Sequence, residues 1–198
     1  MQLSSEQKKI LIGTLLGDAH LEKNGHNVRL RIDHTEKQKN YLKWKYSEFS
    51  NFTPSSPRLI KTIDKRSDNV YKRWHFSTYS IDIFNSYWKL FYKDKIKIIP
   101  KNIIKLLNSP LSLAVWYMDD GYKRNDCNAL RLSTDSFKLE EQKILQKCLE
   151  KNFNIRSTLH KKRDSWNIYI PSLEATKFCR IIKPYIISGM EYKISLTP

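Results

Sequence analysis

The stretches LIGTLLGDA (residues 11–19) and LAVWYMDDG (residues 113–121) decide how this chain is expected to fold. Each stretch is apolar over about two helical turns and ends in a carboxylate. Gly13 and Gly17 lie four residues apart in the first stretch, so they share one helical face on which another helix can approach closely. The two stretches are therefore predicted to be helices that pack against each other as parallel partners.

The carboxylates at the ends of these helices indicate a site for cations. Parallel packing is expected to bring Asp18 and Asp120 side by side. A helix C-terminus carries partial negative charge and free carbonyl oxygens, and an added carboxylate makes a hard oxygen site that suits Mg²⁺. Two such aspartates can hold metal ions that bridge the attacking and leaving oxygens of a phosphodiester.

The rest of the chain repeats one plan, a helix, a strand, a hairpin and a helix, in each half. Aspartate, arginine, tryptophan and tyrosine recur at similar but unequal offsets, in the pairs Asp18 and Asp120, Arg29 and Arg131, Trp74 and Trp166, and Tyr92 and Tyr185. Periodicity, caps and turn residues predict helices at 4–19, 36–49, 81–92, 109–121, 138–153 and 172–187, and strands at 28–34, 58–65, 70–77, 130–134, 156–160 and 166–170. A half with one amphipathic sheet must cover it with its twin, so a pseudo-twofold monomer is predicted.

Charge points to a polyanionic partner. The 198 residues include 36 Lys and Arg against 20 Asp and Glu, a net charge of +16, and the pI is about 9.7. Because this charge is spread along a chain that is 40% hydrophobic, a folded basic surface is expected, with nucleic acid as the first candidate partner and an anionic membrane surface as the second. No strongly amphipathic basic helix supports the membrane role, and no transmembrane or secretory segment is expected.

The three cysteines predict no disulfide framework. Cys127, Cys148 and Cys179 are odd in number, and their spacing fits neither a set of disulfides nor a zinc site. Reduced thiols that bind no metal are therefore expected. His20, His26 and His34 show no metal-ligand spacing either and are assigned hydrogen-bonding or surface roles.

Beyond these patterns, the chain resembles a specific family. LIGTLLGDA at 11–19, IPKNI at 99–103, SLAVWYMDDG at 112–121, IKPYI at 182–186 and YK at 192–193 together resemble a single-chain LAGLIDADG homing endonuclease of the two-motif, mitochondrial group I intron type. The resemblance implies an α+β fold of two αββαββα halves, residues 1–98 and 99–198, with the motif helices at the interface and two antiparallel sheets forming a DNA-binding saddle. It also implies metal-dependent cleavage of both strands of a long asymmetric site, leaving 3′ overhangs and promoting intron mobility.

The resemblance assigns roles to particular residues. Asp18, Asp120, Lys97 and Lys193 match the family's catalytic positions, and Asp18 and Asp120 are expected to bind metal with the carbonyls of Gly17 and Asp119 nearby. Mg²⁺ is the expected cofactor, Mn²⁺ is expected to substitute for it, and Ca²⁺ is expected to bind without supporting cleavage. Asp119 stands where the first motif has Gly17, as Val115 does for Gly13, so the two active sites are expected to be unequal.

Base reading is assigned to the outward faces of the predicted strands, because arginine pairs with guanine, and asparagine with adenine, in the major groove. The candidates are Arg29, Arg31, Lys61, Arg73 and His75 in the first half, and Arg131, Ser133, Arg156, Thr158, His160, Asn167 and Tyr169 in the second. The remaining lysines are expected to contact phosphate.

Three functions remain open: a DNA endonuclease, an RNA-splicing maturase for the host group I intron, and a non-catalytic DNA-binding regulator. Retention of both carboxylates and both lysines favours cleavage, since a protein that only binds nucleic acid does not need them. The abundance of Lys, Ile, Asn and Tyr fits an A·T-rich coding genome and therefore an organelle, with the mitochondrion as the expected location.

Overall fold

Helices α1 (Ser5–Leu16) and α5 (Pro110–Asp120) begin where the sequence predicts. The Ser4 hydroxyl accepts from the Gln7 amide at 3.0 Å, and the Gln7 side chain accepts from the Ser4 amide at 2.9 Å, which completes a capping box. Ser109 caps α5 with a single hydrogen bond, in which its hydroxyl accepts from the Leu111 amide at 3.3 Å, and Pro110 occupies the first helical position. Helix α1 ends with Gly17 as its C-cap, slightly before the predicted Asp18 to Ala19.

The two helices pack against each other at very close range, as predicted from the glycines. A Cβ atom built on Gly13 would lie 2.4 Å from the Ser112 carbonyl oxygen and 2.7 Å from Cβ of Val115. A Cβ on Gly17 would lie 2.4 Å from Cβ of Asp119. Since real Cβ atoms do not approach other atoms so closely, both positions require glycine. The predicted asymmetry of the contact is confirmed, because glycine on α1 faces a larger residue on α5 at both levels.

The computed structural model describes residues 2–196, which divide by their contacts into two units. One unit comprises residues 2–3 and 18–88 and contains an antiparallel sheet with the strand order β1-β2-β4-β3. Its elements are β1 (His20–Asn24), β2 (Asn27–Thr35), α2 (Lys39–Phe49), β3 (Arg58–Ile63), β4 (Val70–Ser77) and the start of α3 (Asn85–Phe91). Strand β2 buries every second residue, Val28, Leu30, Ile32 and His34, as its alternation predicts.

The other unit comprises residues 4–17 and 89–196 and therefore holds both motif helices. Besides α1 and α5 it contains β5 (Tyr92–Lys93), β6 (Ile96–Lys97), α4 (Ile103–Leu106), β7 (Gly121–Lys123), β8 (Leu130–Leu132), α6 (Leu139–Phe153), β9 (Thr158–Lys162), β10 (Ser165–Ile170) and α7 (Ser172–Ile182). Its antiparallel sheet has the order β7-β8-β10-β9. Helices α1 and α5 contribute runs of consecutive buried residues, which is why their apolar stretches show no polar face.

The predicted α+β class is confirmed, and the αββαββα order occurs twice. The first strand of each sheet, β1 and β7, escaped prediction because the former is polar and the latter very short. Pairing registers also revise one predicted equivalence. When Trp74 is aligned with Trp166, Ser77 is aligned with Tyr169. Arg31 pairs with Ser77 and Arg131 pairs with Tyr169, so Arg131 corresponds to Arg31 and not, as predicted, to Arg29. The predicted halves, residues 1–98 and 99–198, describe the sequence repeat and not the two units defined by contacts. This division stays a prediction.

All three cysteines are free; Cys127 is exposed, whereas Cys148 and Cys179 are buried. Burial raises the pKa of Cys148 to about 12 and that of Cys179 to about 11, so both are poor nucleophiles at neutral pH. Within residues 2–196, every helix is too short or too polar to cross a lipid bilayer.

The glycine contact makes a direct prediction about stability. Gly13→Ala should lower the free energy of unfolding by about 2–3 kcal/mol, because the added methyl forces α1 and α5 apart in a close-packed interior. Urea denaturation followed by circular dichroism measures this change. Lys8→Ala, at an exposed position of the same helix, is the matched control and should stay within about 0.5 kcal/mol of wild type. Equal stability of the two variants would contradict the close contact.

Candidate active site and nucleic-acid surface

The C-terminal end of α1 is capped by a lysine from a distant part of the chain. Lys97, on the short strand β6, donates from Nζ to the Gly17 carbonyl oxygen at 2.8 Å. Asp18 is the next residue along the chain, and 37% of its side chain is exposed. The sequence singled out Lys97, Gly17 and Asp18, and the structure places the lysine on the carbonyl that directly precedes the aspartate.

The C-terminal end of α5 is capped in the same manner. Lys193 donates from Nζ to the Met118 carbonyl and, at 3.1 Å, to the Asp119 carbonyl. The Lys193 side chain is buried, and its own carbonyl accepts a 2.8 Å hydrogen bond from the Tyr117 hydroxyl. The burial of Tyr117 raises the pKa of its phenol, which keeps this group a hydrogen-bond donor. Lys193 is thus bound to α5 through both its side chain and its backbone carbonyl.

The two carboxylates that end α5 have different surroundings. Asp119 is buried, and its Oδ2 accepts a 3.1 Å hydrogen bond from the hydroxyl of Thr14 on α1. Asp120 is only half-buried, and its carbonyl accepts from the Ser133 amide at 3.0 Å. Asp119 therefore serves the helix contact through its side chain, whereas the more exposed Asp120 corresponds to Asp18 at the end of its helix.

A lysine on the last carbonyls of a helix is electrostatically favourable, because the helix C-terminus carries partial negative charge. The structure thus brings together Lys97 with Gly17, and Lys193 with Asp119, as one arrangement present twice. Both carbonyls were predicted to lie near metal, and each accepts from an ammonium group. A carbonyl oxygen has two lone pairs, so one ammonium hydrogen bond occupies only one of them.

The donor atoms at the two helix ends fit a hard divalent cation. Asp18 and Asp120 each offer a carboxylate that is not fully buried, and the neighbouring backbone offers the carbonyl oxygens of Gly17 and Asp119. Oxygen ligands of this kind suit Mg²⁺, which commonly takes only one or two carboxylates and keeps several waters.

One residue close to Asp18 was missed as a site residue. His34 on β2 is buried, and its Nδ1 lies 3.4 Å from Oδ2 of Asp18 and 3.2 Å from Oε1 of Gln38. The predicted hydrogen-bonding role is confirmed, but nothing local in the sequence indicated that the partner would be Asp18. The available signal was the strand alternation, which puts this histidine on the buried face with Leu30 and Ile32.

In the first sheet, the pairing register decides which predicted base-reading residues share a face. Asp33 pairs with His75, and Arg31 and Arg29 follow at alternate positions of β2. One face therefore carries Arg29, Arg31, Arg73 and His75. Lys61 pairs with Lys72 and lies on the opposite face, so its predicted position on the same face as the other four is wrong, and its role in base reading stays a prediction. Because almost every residue of β3 is exposed, the sequence of this strand shows no clear buried face from which the position of Lys61 could be predicted.

The arginines of this face are held by carboxylates on the same face. Arg29 donates to Glu22 at 2.9 Å, and Arg31 donates to Asp33 at 3.0 Å and also lies 3.5 Å from Glu22. Arg73 lies 3.7 Å from Asp33. The face is therefore less uniformly basic than the sequence suggested, and its guanidinium groups are already oriented by these ion pairs.

In the second sheet, the predicted residues that belong to strands fall on one face. Tyr169 pairs with Arg131 on one side and with Thr158 on the other, and Asn167 pairs with His160. Ser133 and Arg156 lie just outside the strands. Asn167 shares the face but has only 1% of its surface exposed, so we no longer expect it to read a base directly.

Aromatic stacking, rather than ion pairing, orders this second face. The rings of His160 and Tyr169 stack at 4.0 Å with an interplanar angle of 12°. The Arg131 guanidinium carbon lies 5.8 Å from the Tyr169 ring centroid, within range of a cation–π contact. Among residues 2–196, Nε of Arg131 is a buried nitrogen with no hydrogen-bond partner.

The histidines on these faces predict a pH dependence of stability. Burial, and then the charges of Arg31, Arg58 and Arg73, lower the pKa of His75, while Asp33 opposes them. Burial and the nearby Arg131 and Arg124 lower that of His160. Protons therefore bind the unfolded chain, where the histidine pKa is near 6.5, more readily than the folded one.

Stability should consequently decrease as the pH falls from about 7.5 to 5.5, because the unfolded state takes up protons first in this range. The double variant His75→Asn/His160→Asn should lose less stability over the same interval. Urea midpoints measured at several pH values test this difference. Identical pH profiles for the variant and wild type would refute it.

The chain is similar to known DNA endonucleases and to mRNA maturases. A family model for the LAGLIDADG DNA endonuclease family matches residues 8–178. The cytochrome b mRNA maturase bI2 of Debaryomyces hansenii is 35% identical over 97% of this chain and 74% of its own length. The DNA endonuclease I-ChuI of Chlamydomonas applanata is 31% identical over 98% of this chain and 97% of its own length.

The fold has a solved counterpart as well. The homing endonuclease I-WcaI, whose structure was determined bound to its DNA recognition sequence, superposes with a TM-score of 0.93. It is 29% identical, and the match covers 100% of this chain and 89% of that one. Similarity therefore extends over the whole chain and includes both helix ends described above.

Proposed function

Since the chain belongs to the LAGLIDADG DNA endonuclease family, we propose that it is a site-specific homing endonuclease. It hydrolyses phosphodiesters on both strands of a long asymmetric DNA target, leaves 3′ overhangs and thereby promotes intron mobility. One observation carries this proposal: each motif helix ends in an aspartate whose preceding backbone is contacted by a lysine. A protein that only bound nucleic acid would not need this arrangement twice.

Each helix end supplies the groups that hydrolysis requires. Asp18 and Asp120 would hold Mg²⁺ ions, with the carbonyls of Gly17 and Asp119 beside them. Bound there, Mg²⁺ supplies Lewis-acid stabilisation of the phosphate and lowers the pKa of a coordinated water. Lys97 and Lys193 place ammonium groups at the same helix ends, where they stabilise negative charge that develops on the phosphate. Mn²⁺ replaces Mg²⁺, and Ca²⁺ supports binding without cleavage.

The outward faces of the two sheets supply recognition. Arg29, Arg31, Arg73 and His75 on the first face and Arg131, Ser133, Arg156, Thr158, His160 and Tyr169 on the second read bases in the major groove of one duplex. The arginines already held by Glu22 and Asp33 need little further ordering when they meet a base. The protein acts as a monomer in an organelle, the mitochondrion, where its host intron resides.

A maturase role is the second candidate, and a specific observation favours it. The relative from Debaryomyces hansenii that is 35% identical is a cytochrome b mRNA maturase. Under this alternative the same basic faces would bind the host intron RNA. The two functions differ in their need for the helix-end carboxylates, which only cleavage requires.

The proposed activity is tested with a large randomised duplex library incubated with protein and Mg²⁺, followed by sequencing of the recovered ends. We expect ends that cluster on one long site with 3′ overhangs. The variant Asp18→Asn/Asp120→Asn should yield none of them, because the amides lack the charge that holds the metal. Its affinity for the recovered site, measured in Ca²⁺, should stay within about threefold of wild type, since the substitution leaves the sheet faces intact.

The outcomes separate the candidates. Binding to one duplex without any cut in Mg²⁺ or Mn²⁺ would overturn the endonuclease and leave a DNA-binding regulator. Selective binding and splicing of a group I intron RNA, unchanged by the double substitution, would identify a maturase. Loss of binding together with cleavage would mean that the aspartates are structural.

Affinity for the duplex should also fall steeply with salt. Each phosphate contact releases counterions, so the logarithm of the association constant should fall against that of the NaCl concentration with a slope of about −0.9 per contact. Fluorescence anisotropy with the recovered site measures this slope. Lys65→Gln, at an exposed lysine in the turn between β3 and β4, should make it shallower by about 0.9, whereas a slope near zero in wild type would contradict binding by the basic faces.

A further inference from the structure

A column of buried polar side chains runs behind Asp18. His34 Nδ1 lies 3.4 Å from the Asp18 carboxylate, and the His34 ring lies 4.9 Å from that of Tyr41. Beyond Tyr41, the ammonium of Lys45 lies 4.4 Å from the centre of the phenol ring. Lys45 is fully buried, and only 1% of Tyr41 is exposed. Neither the proposed hydrolysis nor the proposed DNA contacts use Lys45, Tyr41 or His34.

The second half lacks this column at the corresponding positions. Arg31 and Arg131 occupy equivalent positions in the two sheets. His34 lies three residues after Arg31, and Thr134 lies three residues after Arg131, so these two residues correspond. The side chains confirm the match, because His34 contacts Gln38 and the Thr134 hydroxyl donates to Gln142 at 2.7 Å.

The helices behind the two strands extend the comparison. With Gln38 aligned to Gln142, the last residues of α2 and α6, Phe49 and Phe153, also coincide. Leu145 and Leu149, both fully buried, then take the places of Tyr41 and Lys45. The second half therefore builds the same element with threonine and two leucines.

The polar column costs free energy that the second half avoids. Burying a lysine, a phenol and an imidazole costs solvation free energy that leucine and threonine avoid, so the polar column is not needed to build the fold. The second half shows that an apolar column fits the same backbone plan. The polar column is therefore a difference between the halves that the shared backbone plan does not explain, and one end of it lies beside Asp18.

Resting on the proposed function, we propose that His34, held in place by Tyr41 and Lys45, is a positioning residue for the Asp18 carboxylate and that this support exists only in the first of the two active sites. Both groups that face Nδ1 are oxygen acceptors, so the favoured tautomer carries its hydrogen on Nδ1. That hydrogen faces both Oε1 of Gln38 and Oδ2 of Asp18, so it restricts the orientation of the carboxylate that we propose as a metal ligand. Partners of this kind around metal ligands typically change metal affinity or activity by about 10–100-fold when removed.

The test replaces the column with the residues of the second half and follows the two DNA strands separately. His34→Thr should slow cleavage of one strand about tenfold and leave the other within about twofold, so that nicked duplex accumulates. A duplex with a different fluorophore on each strand gives both rates in one reaction. His34→Asn keeps an N–H donor near the position of Nδ1 and should restore most of the lost rate. Thr134→Val, which removes a hydroxyl that bonds Gln142, is the matched control and should keep the wild-type strand ratio.

Further substitutions test whether the column acts as a unit. Tyr41→Leu and Lys45→Leu should shift the strand ratio in the same direction as His34→Thr, by a smaller factor. Equal slowing of both strands in His34→Thr, or no recovery in His34→Asn, would show that His34 only packs and would overturn the inference. An unchanged strand ratio would overturn it as well.

A readout without cleavage keeps this inference separate from the proposed activity. Mn²⁺ alone is titrated into each variant, and the bound ions are followed by electron paramagnetic resonance. His34→Thr should weaken one bound Mn²⁺ about tenfold, the ion that Asp18→Asn loses, while Thr134→Val binds as wild type does. If the wild-type protein cuts neither strand, the proposed function fails, and this measurement still decides the inference. Unaltered Mn²⁺ binding in His34→Thr would overturn the inference even if the protein cleaves DNA.

Discussion

The close approach of α1 and α5 is the constraint on which the candidate site depends. Gly13 and Gly17 let the backbone of α1 come within contact of Ser112, Val115 and Asp119, where any side chain would collide. The apolar residues around this contact are fully buried, so the helices cannot slide without opening voids in a densely packed interior. Rigid helices fix the directions in which their C-terminal carbonyls point, and Asp18 and Asp120, the proposed catalytic aspartates, lie at these ends.

Electrostatics at the helix ends follows from that packing. A helix that ends in the interior leaves carbonyl groups without intrahelical partners, and these groups must be satisfied. Lys97 and Lys193 satisfy them with charge-assisted hydrogen bonds, which also explains how Lys193 can be buried. The same carbonyls and the adjacent aspartates attract cations, so lysine and metal binding have one physical origin. The lysine caps and the proposed metal site thus involve the same groups.

Local chemistry determines which parts could be predicted from sequence. The starts of α1 and α5 follow from Ser4 and Ser109, whose caps depend only on neighbouring residues. Asp18, Asp120, Lys97 and Lys193 were found through motifs, and their roles remain a proposal. Strand β1 lacks alternation, the face of Lys61 depends on pairing with β4, and the burial of Asn167 depends on neighbouring strands. The contact between His34 and Asp18 joins a strand to a helix end, and no local pattern encodes it.

The two halves show how one backbone plan can acquire different chemistry. The first sheet orders its arginines with Glu22 and Asp33, whereas the second stacks Arg131 and His160 on Tyr169. Ion pairs hold guanidinium groups in fixed directions, while stacking leaves their edges available for hydrogen bonds. Since an asymmetric target presents different bases to each half, selection on a duplicated fold acts separately on each surface. The buried residues behind β2 and β8 also differ between the halves, because the common backbone accepts either set and leaves each half open to its own requirements at its own helix end.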